Sequence, residues 1–302
     1  MQFFGKTQFD FLSKRKFFLI LSVIIMVTGL ALTAILGLDY GIDFEGGTEL
    51  AVQFESPVET DRIREGVASL GITGTEIKSF GGENQYIIRI KQSEHATKEI
   101  GEAINKAIPE VEMIVLKMDQ IGPKIGAELR TRALLSIFVA LAALLLYIAF
   151  RFEFAYGLGS VVAILHDIIA TFSVALVLHK TGVVNMEIDQ TFLAAMLTVI
   201  GYSINSTVII FDRIRENYGG KMKGQDFITI ANTSINETLS RTVITVSTTL
   251  MVLIVLLIFG GPVLRPFAVV MSLGVVFGVY SSIYISSAFV SWFMERRQAK
   301  AK

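Results

Sequence analysis

The chain has 302 residues, of which 52% are hydrophobic and 18% charged, and its mean hydropathy of +0.60 is well above that of water-soluble proteins. Lys+Arg and Asp+Glu both number 27, so the balance points to neither nucleic acid nor an acidic substrate. There is no cysteine, which excludes disulfides, thiolate metal sites and a cysteine nucleophile and leaves the redox compartment undetermined.

Lys6, Lys14, Arg15 and Lys16 mark a basic segment, 1–16, ahead of an apolar stretch over 17–36. That stretch is about the 20 residues needed to cross hydrocarbon and exceeds a signal-peptide core of about 7–15, so it reads as an uncleaved first span, 17–37. The segment 38–129 then changes character, with alternating polar and apolar residues and turn-forming glycines, and predicts a folded domain. Residues 48–54 read as a strand. Ile63, Val67 and Leu70 give 59–70 a helical face, with Gly71 as its stop. Residues 77–80 and 85–90 read as a hairpin about Gly81 and Gly82. Ile100, Ala103, Ile104 and Ala107 share a face of a helix over 96–108, ended by Pro109, and 112–118 alternates again. The order βαββαβ fits an α+β ferredoxin-like unit, the alternative being an α+β module of another topology.

Five more apolar segments follow within 130–293, at 133–150, 154–178, 188–211, 242–259 and 267–293. The fold class is therefore a polytopic α-helical membrane protein with six transmembrane helices and one domain between the first two. Arg151, then Arg213, Arg215, Lys221 and Lys223, then Arg296, Arg297, Lys300 and Lys302 fall on the same side as the basic start. The opposing short loops carry only His179, Lys180 and Arg265. Positively charged loops stay cytoplasmic, so both termini, including the tail 294–302, are expected there and the 38–129 domain is extracytoplasmic. Ile228, Ile230, Ala231, Ile235 and Leu239 give the polar segment 213–241 a helical spacing, which predicts an amphipathic helix on the cytoplasmic surface. Gly274, Gly278, Ser282 and Ser286 form a small-residue stripe that lets another helix approach closely.

His166 and Asp167 lie mid-span, where an ionisable pair is costly and faces a cavity or a partner. Either can carry a proton along a pathway; a helix-to-helix hydrogen bond is the structural alternative. Thr171, one turn on, shares the Asp167 face. Thr198, Tyr202, Asn205 and Ser206 line one side of the fourth span, as a relay, as oxygen ligands for sodium, or as packing. Arg241 heads a stripe with Thr245 and Thr248 in the fifth span. It either pairs with a carboxylate, for which Asp212 and Arg213 mark the right level, or snorkels to the interface. Of His95, His166 and His179 only His166 lies in a span, and no phosphate-binding loop, zinc-type histidine pair or nucleophile elbow is present. No catalytic residue, metal site or cofactor is expected, and any work must draw on an ion gradient or a partner.

Asp39-Tyr40-Gly41-Ile42-Asp43-Phe44-Glu45-Gly46-Gly47-Thr48, and Ile121-Gly122-Pro123-Lys124-Ile125-Gly126-Ala127-Glu128-Leu129, resemble the two hallmarks of the SecD/SecF family of the resistance-nodulation-division superfamily. Two further stretches, Thr198 to Asn217 and Asn236 to Thr242, are similar to one branch of it, the branch that partners SecD. The resemblance covers essentially the whole chain. It implies Asp43, Gly46, Gly47, Gly122 and Pro123 as signature residues and one half of a twelve-helix assembly with SecD. It further implies association with the SecYEG channel, with YajC and functionally with SecA, and the drawing of preproteins outward by a gradient of H+ or Na+. Where the family often carries Asp after Gly-Tyr-Ser-Xaa-Asn, this chain has Ser206, which cannot titrate near neutrality. Natural non-acidic variants, sodium as the ion, or a carboxylate supplied by SecD would each account for that. A half-transporter of small molecules or lipids and a non-transducing scaffold for SecD are the competing functions.

Overall fold

The computed structural model describes residues 8–72, 74–79, 84–90, 97–184 and 186–301. Lys6, Gly81, Gly82, His95 and Lys302, all used above, lie outside the described residues. The chain divides into a helical unit, Met1–Gly37, Ile137–Thr181 and Ala194–Lys302, and a sheet-bearing unit, Leu38–Ser136 and Gly182–Leu193. The first span, α1 (Arg15–Leu36), is entered through a 3-10 turn over Leu12–Lys14.

The sheet-bearing unit runs α2 (Ile42–Glu45), β1 (Gly47–Phe54), α3 (Thr60–Ala68), β2 (Glu76–Ser79), β3 (Gln85–Ile90), α4 (Thr97–Ala107), β4 (Met113–Ile121). The strands are antiparallel in the order β2-β3-β1-β4, which makes βαββαβ the ferredoxin-like arrangement. Alternation fixes the register. Leu50, Val52 and Phe54 of β1 face the helices beside Ile88 and Ile90 of β3, and Leu50 stands opposite Ile88. A slip of one residue would turn that whole set outward. Ile63 and Val67 of α3 and Ile100 and Ile104 of α4 close the core, each essentially inaccessible to solvent. Burial of each such side chain contributes about 1.5–3 kcal/mol. α3 ends earlier than the spacing predicts, at Ala68 with Ser69 as its C-cap, and Gly71, at φ +76°, lies in the turn that follows.

Two glycines after α2 join the start of this unit to its end. Gly46 has φ +80°, and a Cβ there would sit 2.7 Å from Pro123 Cα; Gly47 has φ +134°, and a Cβ there would sit 2.7 Å from Ile90 O. Only glycine supplies that backbone at that distance. The two hallmark motifs are thus one contact, a turn seated against the start of the next helix, with Pro123 at the first helical position, where its missing N–H costs nothing.

The remaining helices are α5 (Pro123–Arg151), α6 (Phe154–Lys180), α7 (Gln190–Gly219), α8 (Phe227–Phe259), α9 (Gly261–Ser281) and α10 (Ser287–Ala301), the last two joined by a π turn over Ser282–Ser286. Among the described residues six helical runs are long and apolar enough to cross a membrane: Leu12–Leu36, Pro123–Ile148, Phe154–Lys180, Gln190–Gly219, Phe227–Phe259 and Leu264–Arg296. The expected surface helix over 213–241 does not form. Its first part continues α7 to Gly219, and its second opens α8 at Phe227, capped by Asp226, whose side chain accepts from Thr229 N at 3.4 Å. Phe227, Ile230, Ala231 and Ile235 are buried, in a cluster that includes Ile210, Phe211, Ile214 and Leu12. The apolar stripe of that segment packs against other helices of the same unit. Asn232 and Asn236, one turn apart on α8, clasp the start of the chain: Asn232 Oδ1 accepts from Phe11 N at 3.0 Å and Leu12 N at 3.1 Å, and Asn236 bonds Phe9 N at 2.9 Å and Phe9 O at 2.8 Å.

Gly46→Ala should destabilise the protein by about 1–3 kcal/mol through the imposed backbone alone. A lower thermal midpoint of the purified protein checks this. Asp189 caps α7 by accepting from Phe192 N at 2.7 Å, and burial, with the Asp43 charge adding to it, pushes its carboxyl up to about 6 from 3.8. The folded state therefore binds this proton more tightly than the unfolded chain. Stability is favoured in acid, declines as pH rises from about 3.8 to about 6, and carries the full cost above that. Asp189→Asn keeps the cap and removes the cost. It should raise the melting midpoint at neutral pH by the equivalent of up to ~3 kcal/mol, with the gain vanishing in acid, as melting curves across pH would read.

Candidate functional site

His166 and Asp167 sit side by side in α6 and are 2% and 1% exposed. A carboxylate stripped of water is costly unless its oxygens are hydrogen-bonded. Here three helices contribute to that. Asp167 Oδ2 accepts from Ser203 Oγ of α7 at 2.5 Å and from Ser281 Oγ of α9 at 2.7 Å, and Oδ1 lies 3.0 Å from His166 Nδ1. With the proton assigned to Nδ1, the imidazole donates the third bond. Hydrogen bonds to a charged group contribute about 1.5–3 kcal/mol each and offset part of the cost of burying it.

Local sequence explains how these atoms meet. Gly278 of α9 lies so close to α7 that an added Cβ would be 3.2 Å from Ser203 Cα. The small-residue stripe is therefore a helix-packing device, and it draws Ser203 toward Asp167. Ser281 is the last residue before the π turn, where Ser287 Oγ reaches back to Ser282 O at 2.8 Å. Such a turn inserts a residue and offsets the faces on either side of it. Next to Ser281, Tyr280 OH bonds Phe18 O at 2.7 Å and Ser22 Oγ at 2.7 Å, tying α1 to the same helix. The His166 ring lies 5.7 Å from the Tyr280 ring and 6.2 Å from that of Phe277. Among the described residues His166 Nε2 and Thr171 Oγ1 are buried without a hydrogen-bond partner.

The polar side of α7 does not join this cluster as one stripe. Tyr202 OH makes long bonds to α8, 3.4 Å to Thr245 O and 3.3 Å to Thr249 Oγ1, while Asn205 is exposed and Ser206 buried. Thr198 donates to Ala194 O at 2.7 Å. On α8, Thr245 and Thr248 donate to carbonyls of their own helix, Arg241 O at 2.9 Å and Ile244 O at 3.0 Å. That satisfies the hydroxyls locally. Arg241 is exposed, and its guanidinium has no acidic partner among the described residues. Neither Asp212 nor Arg213 is that partner. Asp212 pairs with Arg151 at 3.0 Å, and Arg213 with Glu237 at 2.6 Å and Glu216 at 2.5 Å, while Asn217 Nδ2 donates to the same Glu237 oxygen at 2.8 Å. These charges brace the ends of α5, α7 and the first half of α8.

The signature residues Asp43, Gly46, Gly47, Gly122 and Pro123 belong to the sheet-bearing unit. The two glycines and Pro123 form the closing turn described above, and Asp43 Oδ2 accepts from Gln190 N at 2.9 Å. Sequence reasoning found His166 and Asp167 but not Ser203 and Ser281. A lone carboxylate in a span calls for hydroxyl donors on other helices, but several spans carry serines, and which of them face Asp167 is set by the helix crossings. The assembled cluster can hold a proton between carboxylate and imidazole, and its oxygens are of the type that ligate sodium.

Residues 100–296 match the family model for protein export membrane protein SecD/SecF, C-terminal, and residues 31–58 match that for the SecD/SecF GG motif. The protein translocase subunit SecF of Calditerrivibrio nitroreducens is 38% identical over 93% of this chain and 92% of its own length. The SecF subunit of Escherichia coli O157:H7 is 34% identical over 94% of this chain and 87% of its own. The crystal structure of SecDF, a translocon-associated membrane protein from Thermus thermophilus, superposes with a TM-score of 0.83 at 32% identity, covering 96% of this chain. A SecDF structure in a super-membrane-facing form gives a TM-score of 0.72 at 31% identity. This chain spans 39% and 41% of those two longer chains. Matched by the family models along most of its length and by SecF subunits from end to end, the chain belongs to the SecD/SecF family of protein export membrane proteins, as a multi-pass auxiliary subunit of the Sec translocase.

Proposed function

We propose that this chain pairs with SecD in the bacterial inner membrane, both termini cytoplasmic, and promotes preprotein export by coupling it to an ion gradient, with the Asp167 cluster as its ion-handling site. The buried bonding of Asp167 to His166, Ser203 and Ser281 carries the reading, because a titratable pair sealed among helices is expensive and a structural contact could be made by neutral groups. The imidazole beside the carboxylate favours H+ over Na+, since its Nε2, buried without a hydrogen-bond partner among the described residues, is a proton acceptor rather than the oxygen ligand that Na+ prefers. Ser206 cannot take that role, and Arg241, exposed and unpaired among the described residues, is free to meet a carboxylate of SecD. Large exposed apolar side chains on α5 and α8, Phe138, Phe150, Met251 and Phe259 among them, suit lipid or that partner. The proposal includes association with the SecYEG channel, YajC and SecA and a role without enzymatic activity, readings that the likeness to SecF subunits supports. No cofactor is required beyond the coupling ion.

Asp167→Asn preserves shape and removes the titratable oxygen; it should abolish the gradient-dependent stimulation of preprotein export in vesicles containing the intact complex. Stimulation at the wild-type level, with normal assembly, refutes the assignment. Ser206→Asp tests the second polar site. A shift in whether H+ or Na+ supports export places Ser206 on the ion path, whereas unchanged ion dependence makes it packing.

A further inference from the structure

We infer that the coupling proton is taken up at Nε2 of His166, with Asp167 as the anion that orients the imidazole and Tyr280 and Phe277 as positioning residues whose rings form a wall suited to the imidazolium. The role in export rests on the function proposed above; where the proton binds does not.

The bonding of the cluster leaves one basic atom open. Asp167 Oδ2 accepts from two hydroxyls, Ser203 Oγ at 2.5 Å and Ser281 Oγ at 2.7 Å, and Oδ1 lies 3.0 Å from His166 Nδ1. A proton arriving at Oδ2 would meet two groups already donating to it. An ionised carboxylate can only accept, so the Nδ1 that faces it carries the proton of the neutral imidazole and Nε2 carries a lone pair. That lone pair is buried and has no hydrogen-bond partner among the described residues. Buried polar atoms are normally bonded, and an orphan of this kind calls for a function.

The neighbours of the ring account for the open atom. Tyr280 lies against His166 at 5.7 Å between ring centroids, tilted by 36°, and Phe277 at 6.2 Å with the planes 76° apart. Phenylalanine has no donor to offer. The Tyr280 hydroxyl has its single proton committed elsewhere: it donates to Phe18 O at 2.7 Å and so accepts from Ser22 Oγ at 2.7 Å. What the two rings do provide is π-density. A cation about 6 Å from a ring centroid is attracted by the quadrupole of the ring, an attraction that a neutral imidazole lacks.

No other charge is in contact with the imidazole among the described residues; the titratable groups that touch it are Asp167 of α6 and Tyr280 of α9. The charges of α1 and α9 stand near their starts, Arg15 with Lys16 and Arg265, and those of α7 and α10 begin at Asp212 and Glu295. In the loading step the Nε2 lone pair takes H+ from hydronium and leaves water, and the pair passes from a net charge of −1 to zero. The proton between Nδ1 and Oδ1 stays between them. Whichever of the two atoms holds it in the loaded state, the added proton is on Nε2.

The test is 15N NMR of the full chain in lipid bilayers, carrying His95→Gln/His179→Gln so that His166 is its sole histidine. As the medium is acidified from about pH 8 to about pH 5, the range in which imidazoles ordinarily titrate, Nδ1 should stay protonated and Nε2 should pass from bare to protonated. An Nε2 that stays bare places the proton on the carboxyl and overturns the assignment, as does a bare Nδ1 at about pH 8. Phe277→Leu keeps an apolar side chain and removes the ring. At the pH where half of Nε2 is protonated without it, that substitution should leave about a sixth protonated. An unchanged half overturns the aromatic wall. In vesicles containing the assembled complex, His166→Asn keeps a donor at the place of Nδ1 and has no Nε2, and it should lose gradient-stimulated export. Half-maximal stimulation with Phe277→Leu should need a more acidic medium, a shift that a structural defect would not give. Wild-type stimulation in the first variant, or no shift in the second, overturns the role in export. If the unsubstituted complex shows no gradient-stimulated export, the proposed function and this role fail together, and the NMR result still decides where the proton binds.

Discussion

The carboxylate of Asp167 sets the terms for the helical unit. Placed deep in a span, it cannot be hydrated, so donors must reach it from neighbouring helices at fixed distances. Ser203 and Ser281 do so, and both depend on backbone features that bring helices close or re-aim them: Gly278 against Ser203, and the π turn after Ser281. Tyr280, one residue away, extends the same constraint to α1 through Phe18 and Ser22. The packing of four helices is thus organised about one acidic group, and any chemistry that changes its protonation acts directly on the bonds that position them.

The sheet-bearing unit has a different foundation. Its core is ordinary, two helices on one face of an antiparallel sheet, and its ends are closed by steric necessity rather than by charge. Gly46 and Gly47 adopt backbones open to glycine while their neighbours leave no volume for a Cβ. The glycines and Pro123 among the signature residues are here a closure. Asp43 is the exception within the motif, since its carboxylate is used on an amide of Gln190.

The polar groups divide by environment into two kinds of work. Charges at helix ends, such as Arg213 with Glu237 and Arg151 with Asp212, are partly exposed and brace the ends of elements at modest energy. The buried groups are fewer and their partners are specific: Arg89 between two glutamates in one unit, Asp167 among hydroxyls in the other. Removal of Arg89 leaves two buried carboxylates, those of Glu49 and Glu187, without their shared cation, and removal of Ser203 or Ser281 takes one donor from Asp167.

Much of this was legible in the sequence. Period-2 alternation with Gly71 and Pro109 as punctuation identified βαββαβ, because local burial on one face writes itself into residue spacing, and long apolar runs identified the spans because hydrocarbon admits little else. The rarity of an acid in a span singled out Asp167. The segment 213–241 was misplaced because an apolar stripe looks the same whether it meets lipid or protein, and only the fold supplied Leu12, Phe211 and Ile214 to cover it. Likewise Ser203, Ser281 and the grip of Glu187 on Arg89 join residues far apart in the chain through helix crossings and strand register, neither of which any local pattern encodes. Sequence by itself determined the family, the class of fold and the residue types that are costly to bury; which of them touch was decided by tertiary packing, since hydrogen bonds and charges act over a few ångströms of space and not along the chain.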